Sequence, residues 1–233
     1  MAITLGGGGG GSASQINEVV SLRNDATVVT LADSRVYLKG GIFETDLTVY
    51  PNASNSFIYT GTNFNVATQE AYTMGITWDG TSFWTTGRVA DKVWKYTAAG
   101  VYTGTSFTVA SQAAFSTGIT WDGTYLWVID QYTRSVYKYN TSGTYQSVSF
   151  SAASEDSSPE DVAWDGTDFW VLGGTNKTVY KYNASGVYQN VSFSVEAQEI
   201  YPNGITWDGT SFWVVGQNSD AVHKYNAAGV YQN

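Results

Sequence analysis

Short alternating bursts of apolar and polar residues fill positions 58–233, and they recur with a single period. Trp78, Trp121, Trp164 and Trp207 are spaced by 43 residues, as are Trp84, Trp127, Trp170 and Trp213, and likewise Lys95, Lys138, Lys181 and Lys224. Each unit contains four stretches of strand character separated by turn residues. In the last unit the predicted strands are Gly204–Trp207, Phe212–Gly216, Val222–Tyr225 and Val230–Asn233. Asp79, Asp122, Asp165 and Asp208, each followed by Gly, supply the strongest short hairpin signal. A second tight turn, Ala-Ala-Gly or Ser-Gly, precedes the fourth strand. Four antiparallel strands in about 40–45 residues make a propeller blade, whereas solenoid rungs are usually shorter. The expected fold is all-β, a propeller-like array of four 43-residue, four-stranded repeats.

The units run over 75–117, 118–160, 161–203 and 204–233. Ile58-Tyr59-Thr60-Gly61 matches Val101-Tyr102-Thr103-Gly104 and Val230-Tyr231-Gln232-Asn233, so residues 58–74 read as the end of a unit that completes the array. Two readings of closure stay open. Either residues 62–74 complete the last blade and close a four-bladed ring, or the natural chain carries further repeats. Sharing strands around a ring would hide sheet edges in a chain rich in β-formers.

Residues 1–57 differ in kind. Gly6 to Gly11 is an unbroken glycine run followed by Ser12-Ala13-Ser14, readable as a flexible linker or as an arm that threads into a partner. Val28–Leu31, Val36–Leu38 and Ile42–Phe43 then form short apolar segments, with Ala32-Asp33-Ser34 and Lys39-Gly40-Gly41 as plausible turns. A segment of roughly 35 residues buries too little area to fold alone. It is therefore expected to be a Gly-rich, β-structured attachment or oligomerisation segment.

Composition narrows the chemistry. Eleven Lys and Arg against 20 Asp and Glu give a net charge of −9, which disfavours neutralising nucleic-acid phosphates. There is no Cys, so disulfides and thiolate chemistry are excluded, and the single His223 rules out multi-histidine metal sites and most histidine-dependent triads. No apolar run approaches the roughly 18 residues of a membrane span. The N-terminus lacks a secretory pattern, so synthesis in a cytosol is expected. No cofactor and no metal site are expected.

Two resemblances follow from these residues. The motif Ile-Thr-Trp-Asp-Gly-Thr-x-x-Trp-Val followed by Val-Tyr-Lys-Tyr-Asn resembles NHL/YncE-like propeller repeats. The Gly run with Leu31-Ala32-Asp33-Ser34-Arg35-Val36-Tyr37-Leu38-Lys39 and Tyr50-Pro51 looks like the N-terminal attachment region of bacteriophage virion appendage proteins, such as tail fibres. That resemblance implies a non-enzymatic structural protein of the virion. Residues 1–57 would dock to other virion proteins and the repeats would meet a host surface glycan or receptor. Homo-oligomers are implied, with trimers the usual state of fibres. A carbohydrate-binding propeller lectin is the alternative, and a polysaccharide hydrolase or lyase a third reading.

The conserved-looking columns read mainly as scaffold. One Asp per unit does not make a calcium cage, and an Asp-Gly turn explains it. The Lys column is expected to lay its stems over apolar surface and pair with carboxylates. Both Trp columns are expected in the core between blades. The loops between second and third strands, and the connections between units, vary from repeat to repeat, while the other two turns stay uniform. An up-and-down meander puts both variable sets at one end. That face is the candidate binding surface, with Tyr132, Arg134, Asn176, Tyr201, Gln217 and Asn218 as its candidate residues.

Overall fold

The computed structural model of the chain describes residues 35–38, 41–44 and 63–232. All regular elements among them are strands. The chain divides into two units between Ile58 and Tyr59. In the first, β1 (Arg35–Leu38) and β2 (Gly41–Glu44) pair antiparallel, with Leu38 opposite Gly41. The glycine run at 6–11 and the Val28–Leu31 stretch lie outside the described residues.

The second unit is four antiparallel four-stranded sheets, each a meander in chain order. Blade one comprises β3 (Thr73–Trp78), β4 (Ser82–Gly87), β5 (Lys92–Thr97) and β6 (Tyr102–Thr108). Blade two comprises β7 (Ser116–Trp121), β8 (Leu126–Asp130), β9 (Ser135–Tyr139) and β10 (Tyr145–Ser151). Blade three comprises β11 (Pro159–Trp164), β12 (Asp168–Gly173), β13 (Thr178–Asn183) and β14 (Tyr188–Ser194). Blade four comprises β15 (Pro202–Trp207), β16 (Ser211–Gly216), β17 (Val222–Asn226) and the short β18 (Tyr231–Gln232). These are four blades of a β-propeller.

The core lies between blades. Trp84, Val93, Val109 and Ala113 of the first blade and its exit pack against Ile119, Leu126, Val128 and Tyr139 of the second. The same columns build the next two interfaces. The first three outer strands each also send a phenylalanine to the next blade. Phe107, Phe150 and Phe193 lie directly over Gly143, Gly186 and Gly229, which turn with φ of 75–85°. A side chain there would be strained by the backbone and would strike the ring.

The two Trp columns part company. Trp84, Trp127, Trp170 and Trp213 are at most 7% exposed. Trp78 is 42% exposed, and Trp121, Trp164 and Trp207 are half-buried. The first column stands at the end of the inner strands and leans on a core ring, as Trp164 does on Phe169 at 4.6 Å. It covers the core edge and does not fill the core.

The inner strands pack in sequence, β3 on β7, β7 on β11 and β11 on β15. Among the described residues β15 does not pack on β3 in that way. Among the described residues no strand pairing joins 63–74 to blade four. β18, from blade four's own unit, pairs with only the Lys224 and Tyr225 end of β17, while Phe64 sits over Gly100 of blade one, as Phe107 sits over Gly143.

Candidate functional site

At one end of every blade stands the Asp-Gly-Thr turn. Asp122 Oδ1 accepts from the N–H groups of Thr124 and Tyr125, and its Oδ2 accepts from Trp127 Nε1 at 2.6 Å. Asp79, Asp165 and Asp208 repeat this set on Trp84, Trp170 and Trp213. Burial opposes the charge of Asp208, but these donors outweigh it and hold its pKa at about 2. The column therefore ties a turn to a core indole. The Lys column stacks on the same indoles, with Nζ of Lys95, Lys138, Lys181 and Lys224 at 4.8–5.3 Å from the ring centroids.

The opposite end carries the variable loops. In each blade the loop after the second strand is tied by a backbone bond to the connection entering the first: Arg88 N–H to Tyr72 O, Gln131 to Phe115, Gly174 to Ser158 and Gln217 to Tyr201. A buried carboxylate then staples the same two segments. Glu70 accepts from the N–H groups of Tyr72, Val89 and Ala90. Asp156 accepts from Ser158, Thr175 and Asn176. Glu199 accepts from Tyr201, Asn218 and Ser219, and from Ser219 Oγ. Burial works against Glu199, yet these donors hold its pKa below the ordinary range.

Blade two makes the staple differently. Its equivalent connection residue is Ala113, and the carboxylate comes from Asp130, bonded to the N–H groups of Phe115 and Thr133 and to Thr133 Oγ1. The positions matching Asp130 are Gly87, Gly173 and Gly216, where a Cβ would strike the Glu70, Asp156 and Glu199 side chains. One carboxylate fits, supplied from either strand.

On this stapled frame sits an aromatic stack. Tyr132, 73% exposed, packs on Phe115 with ring centroids 4.4 Å apart. The Arg88 guanidinium lies 4.5 Å from the centroid of Phe115. Next to it, Gln131 Nε2 donates to Ser158 Oγ at 2.9 Å and to Glu160 at 2.6 Å. Desolvation pushes the Glu160 pKa up. Asp161 follows on β11, where the other inner strands carry Gly75, Gly118 and Gly204. Its carboxylate accepts from the N–H groups of Val162 and Ile205. Desolvation dominates and raises its pKa to about 7.

Of the candidate residues, Tyr132, Arg134, Tyr201, Gln217 and Asn218 are all exposed on these loops. Arg134 is also the loop-closing residue at φ 54°, a place taken by Asp91, Lys177 and Asp220 elsewhere. Asn176 is exposed as well, but its Nδ2 is engaged, donating to Glu155 O and Tyr180 Oη. Residues missed as site components are Arg88, Phe115, Gln131 and the stapling carboxylates. Aligning the repeats would have found the staples. Columns reading Glu, Ala, Asp, Glu and Gly, Asp, Gly, Gly differ together only in blade two.

No protein-family model matches the sequence, and no curated protein matches it. Solved structures do match. Virginiamycin B lyase from Staphylococcus aureus is 18% identical, with a TM-score of 0.51 over 69% of this chain and 54% of that one. Glutaminyl cyclase from Myxococcus xanthus is 11% identical, with a TM-score of 0.57 over 69% and 68%. A nidogen/laminin complex is 13% identical, with a TM-score of 0.51 over 69% and 62%. The chain thus spans about half the length of the lyase, and the likeness establishes the propeller fold. It also corrects the expectation that the protein is not an enzyme. A lyase and a cyclase share this fold, so scarcity of His and absence of Cys exclude certain mechanisms and do not exclude catalysis.

Proposed function

We propose that the loop end is a recognition surface for a neutral glycan or similarly polar receptor, presented by a phage tail-fibre-like virion appendage that residues 1–57 attach to its particle. The observation that carries the recognition half is the Tyr132–Phe115–Arg88 stack, with Tyr132 exposed over half-buried Phe115 and Arg88, on loops rigidified by buried carboxylates. Aromatic faces beside amide and guanidinium groups suit sugar rings, and a preorganised frame lowers the entropy cost of binding. The attachment half is supported by the sequence resemblance of residues 1–57. The test is binding of the full chain to a glycan array and to host cells. Tyr132→Ala is expected to lower binding at least tenfold with an unchanged melting temperature. Unaltered binding in Tyr132→Ala, with loss on changing exposed Thr124 at the other end, would sink the assignment. Failure of particles to retain residues 1–57 fused to a reporter would sink the attachment half.

Asp161 favours a second reading, a propeller hydrolase or lyase. A carboxyl titrating near neutrality beside a second raised carboxyl can hold or accept a proton in the working pH range. Turnover of a polysaccharide that disappears in Asp161→Gly would establish it.

A further inference from the structure

Beside the Tyr132–Phe115–Arg88 stack the fold leaves a donor and an acceptor without protein partners. The Arg88 guanidinium lies 4.5 Å from the Phe115 ring centroid, and no acceptor among the described residues pairs with it. Its Nε is buried unpaired, while the outer N–H groups stay open to solvent. Burying a donor without a partner costs stability, so packing on Phe115 holds this arginine where its own hydrogen bonding does not favour it. Its outer donors are preorganised for another group.

Glu160, close by, uses one oxygen only. Oε1 accepts from Gln131 Nε2 at 2.6 Å and from Ser158 Oγ at 3.2 Å. Oε2 has no partner among the described residues and is not buried. Desolvation raises the Glu160 pKa and the Arg88 charge opposes it, so the two side chains lie within electrostatic reach. No ion pair joins them among the described residues. A gap therefore separates an open donor from an open acceptor, with the exposed Tyr132 ring alongside.

That combination selects among simple groups. A carboxylate would suit Arg88 but would meet Glu160 as a like charge, and a free amine reverses the conflict. A hydroxyl can bridge the two but offers nothing to the aromatic rings. An acetamido group is uncharged, accepts at its C=O, donates from its N–H on the opposite edge, and carries a methyl. Hydrogen bonds of about 2.9 Å on either side let it span the gap. Resting on the recognition reading above, we propose that this subsite selects N-acetylated sugars. Arg88 donates to the acetamido oxygen, Glu160 Oε2 accepts from its N–H, and the Tyr132–Phe115 pair packs on the methyl and the sugar ring. The set occurs once per chain. Gln131, Gly174 and Gln217 replace Arg88 in the other blades, and Met74, Thr117 and Asn203 replace Glu160.

The test passes the full chain over matched surfaces bearing N-acetylglucosamine, glucosamine, glucose and glucuronic acid, and over the same series built on galactose. Sites built to hydrogen-bond a group reject analogues that lack it. Binding to an acetylated sugar should exceed its unacetylated relatives by about tenfold or more, with one site per chain. Glu160→Gln still accepts from Gln131 but turns the open acceptor into a donor, and Arg88→Lys loses the planar stacked fork. Each should collapse that ratio toward one in chains that melt as wild type does, and the wild-type panel decides even if a variant folds poorly. Tyr132-dependent binding without preference among the sugars would overturn this inference and leave the recognition reading standing. A preference for glucuronic acid or glucosamine would overturn it too, because Arg88 or Glu160 would then act alone. Binding to none of these surfaces also overturns it, and the recognition reading then stands or falls on host-cell binding by Tyr132→Ala.

Discussion

The two ends of the array solve one problem, holding loops with carboxylates, in opposite ways. At the turn end the carboxylate is local. Asp122 reaches donors two, three and five residues ahead, so the motif is sealed within a single hairpin and repeats unchanged. At the loop end the carboxylate joins segments 19 or 20 residues apart, as Glu199 does with Asn218 and Ser219. A non-local staple needs only a carboxylate at a point in space, which is why blade two can take it from Asp130. The loops around it are then free to vary in sequence without losing their anchor. One end is fixed by its motif and the other by its geometry.

The largest expected effect is at the turn end, where the local motif reaches the core. Trp127→Ala should destabilise the blades by about 3–5 kcal/mol, the range for a buried aromatic. The same change at half-buried Trp121 should cost clearly less. Denaturant melts of the two variants side by side make the check. Equal losses would mean that the first column is as much core as the second.

Much of this was legible in the sequence, for physical reasons. The Asp-Gly turn, the indole and the strand alternation are local signals, so the 43-residue period located the blades and most strand ends. In blade four β15 begins at Pro202, two residues before the predicted Gly204, because the ladder continues past a register shift. Burial of Trp84 against Trp78 depends on which strand end each occupies, and periodicity alone does not show that. The staples leave their trace only in two columns that change together, Ala113 with Asp130 against a carboxylate with Gly in the other blades, and a search for motifs within one unit does not meet it. The Arg88–Phe115 contact joins neighbouring blades, and the next pair of units meets at the same two columns through different chemistry, Gln131 on Ser158.

A smaller effect separates geometry from motif at the loop end. Asp130→Ala leaves the Phe115 and Thr133 N–H groups without their acceptor, and should cost about 2–3 kcal/mol at the usual price of unsatisfied buried donors. Adding the staple used by blades one and four should recover most of that. The rescuing chain is Ala113→Glu with Asp130→Gly, which copies the Glu70 and Gly87 pairing. Thermal melts of wild type and the two variants decide it. If the double change is no better than Asp130→Ala, the two positions are not alternative sources of one carboxylate.

The smallest effect distinguishes the two ends by their response to pH. At the turn end Asp208 has a pKa of about 2. Its stabilisation is complete above the ordinary carboxylate value of about 3.9 and fades only as pH falls toward 2. At the loop end Asp161 has a pKa of about 7, raised by desolvation. Between about pH 4 and 7 the folded chain keeps a proton there that the unfolded chain releases, so this group's contribution falls as pH rises through that window. Above about 7 both states are ionised and the loss is complete. Asp161→Gly removes the group and restores the residue found at Gly75, Gly118 and Gly204. Relative to wild type, the variant should gain up to about 2 kcal/mol on going from pH 5 to pH 8. Wild-type and variant stability curves that run parallel from pH 5 to 8 would show that Asp161 titrates as an ordinary carboxylate, and would remove the basis for a proton-transfer role at this end.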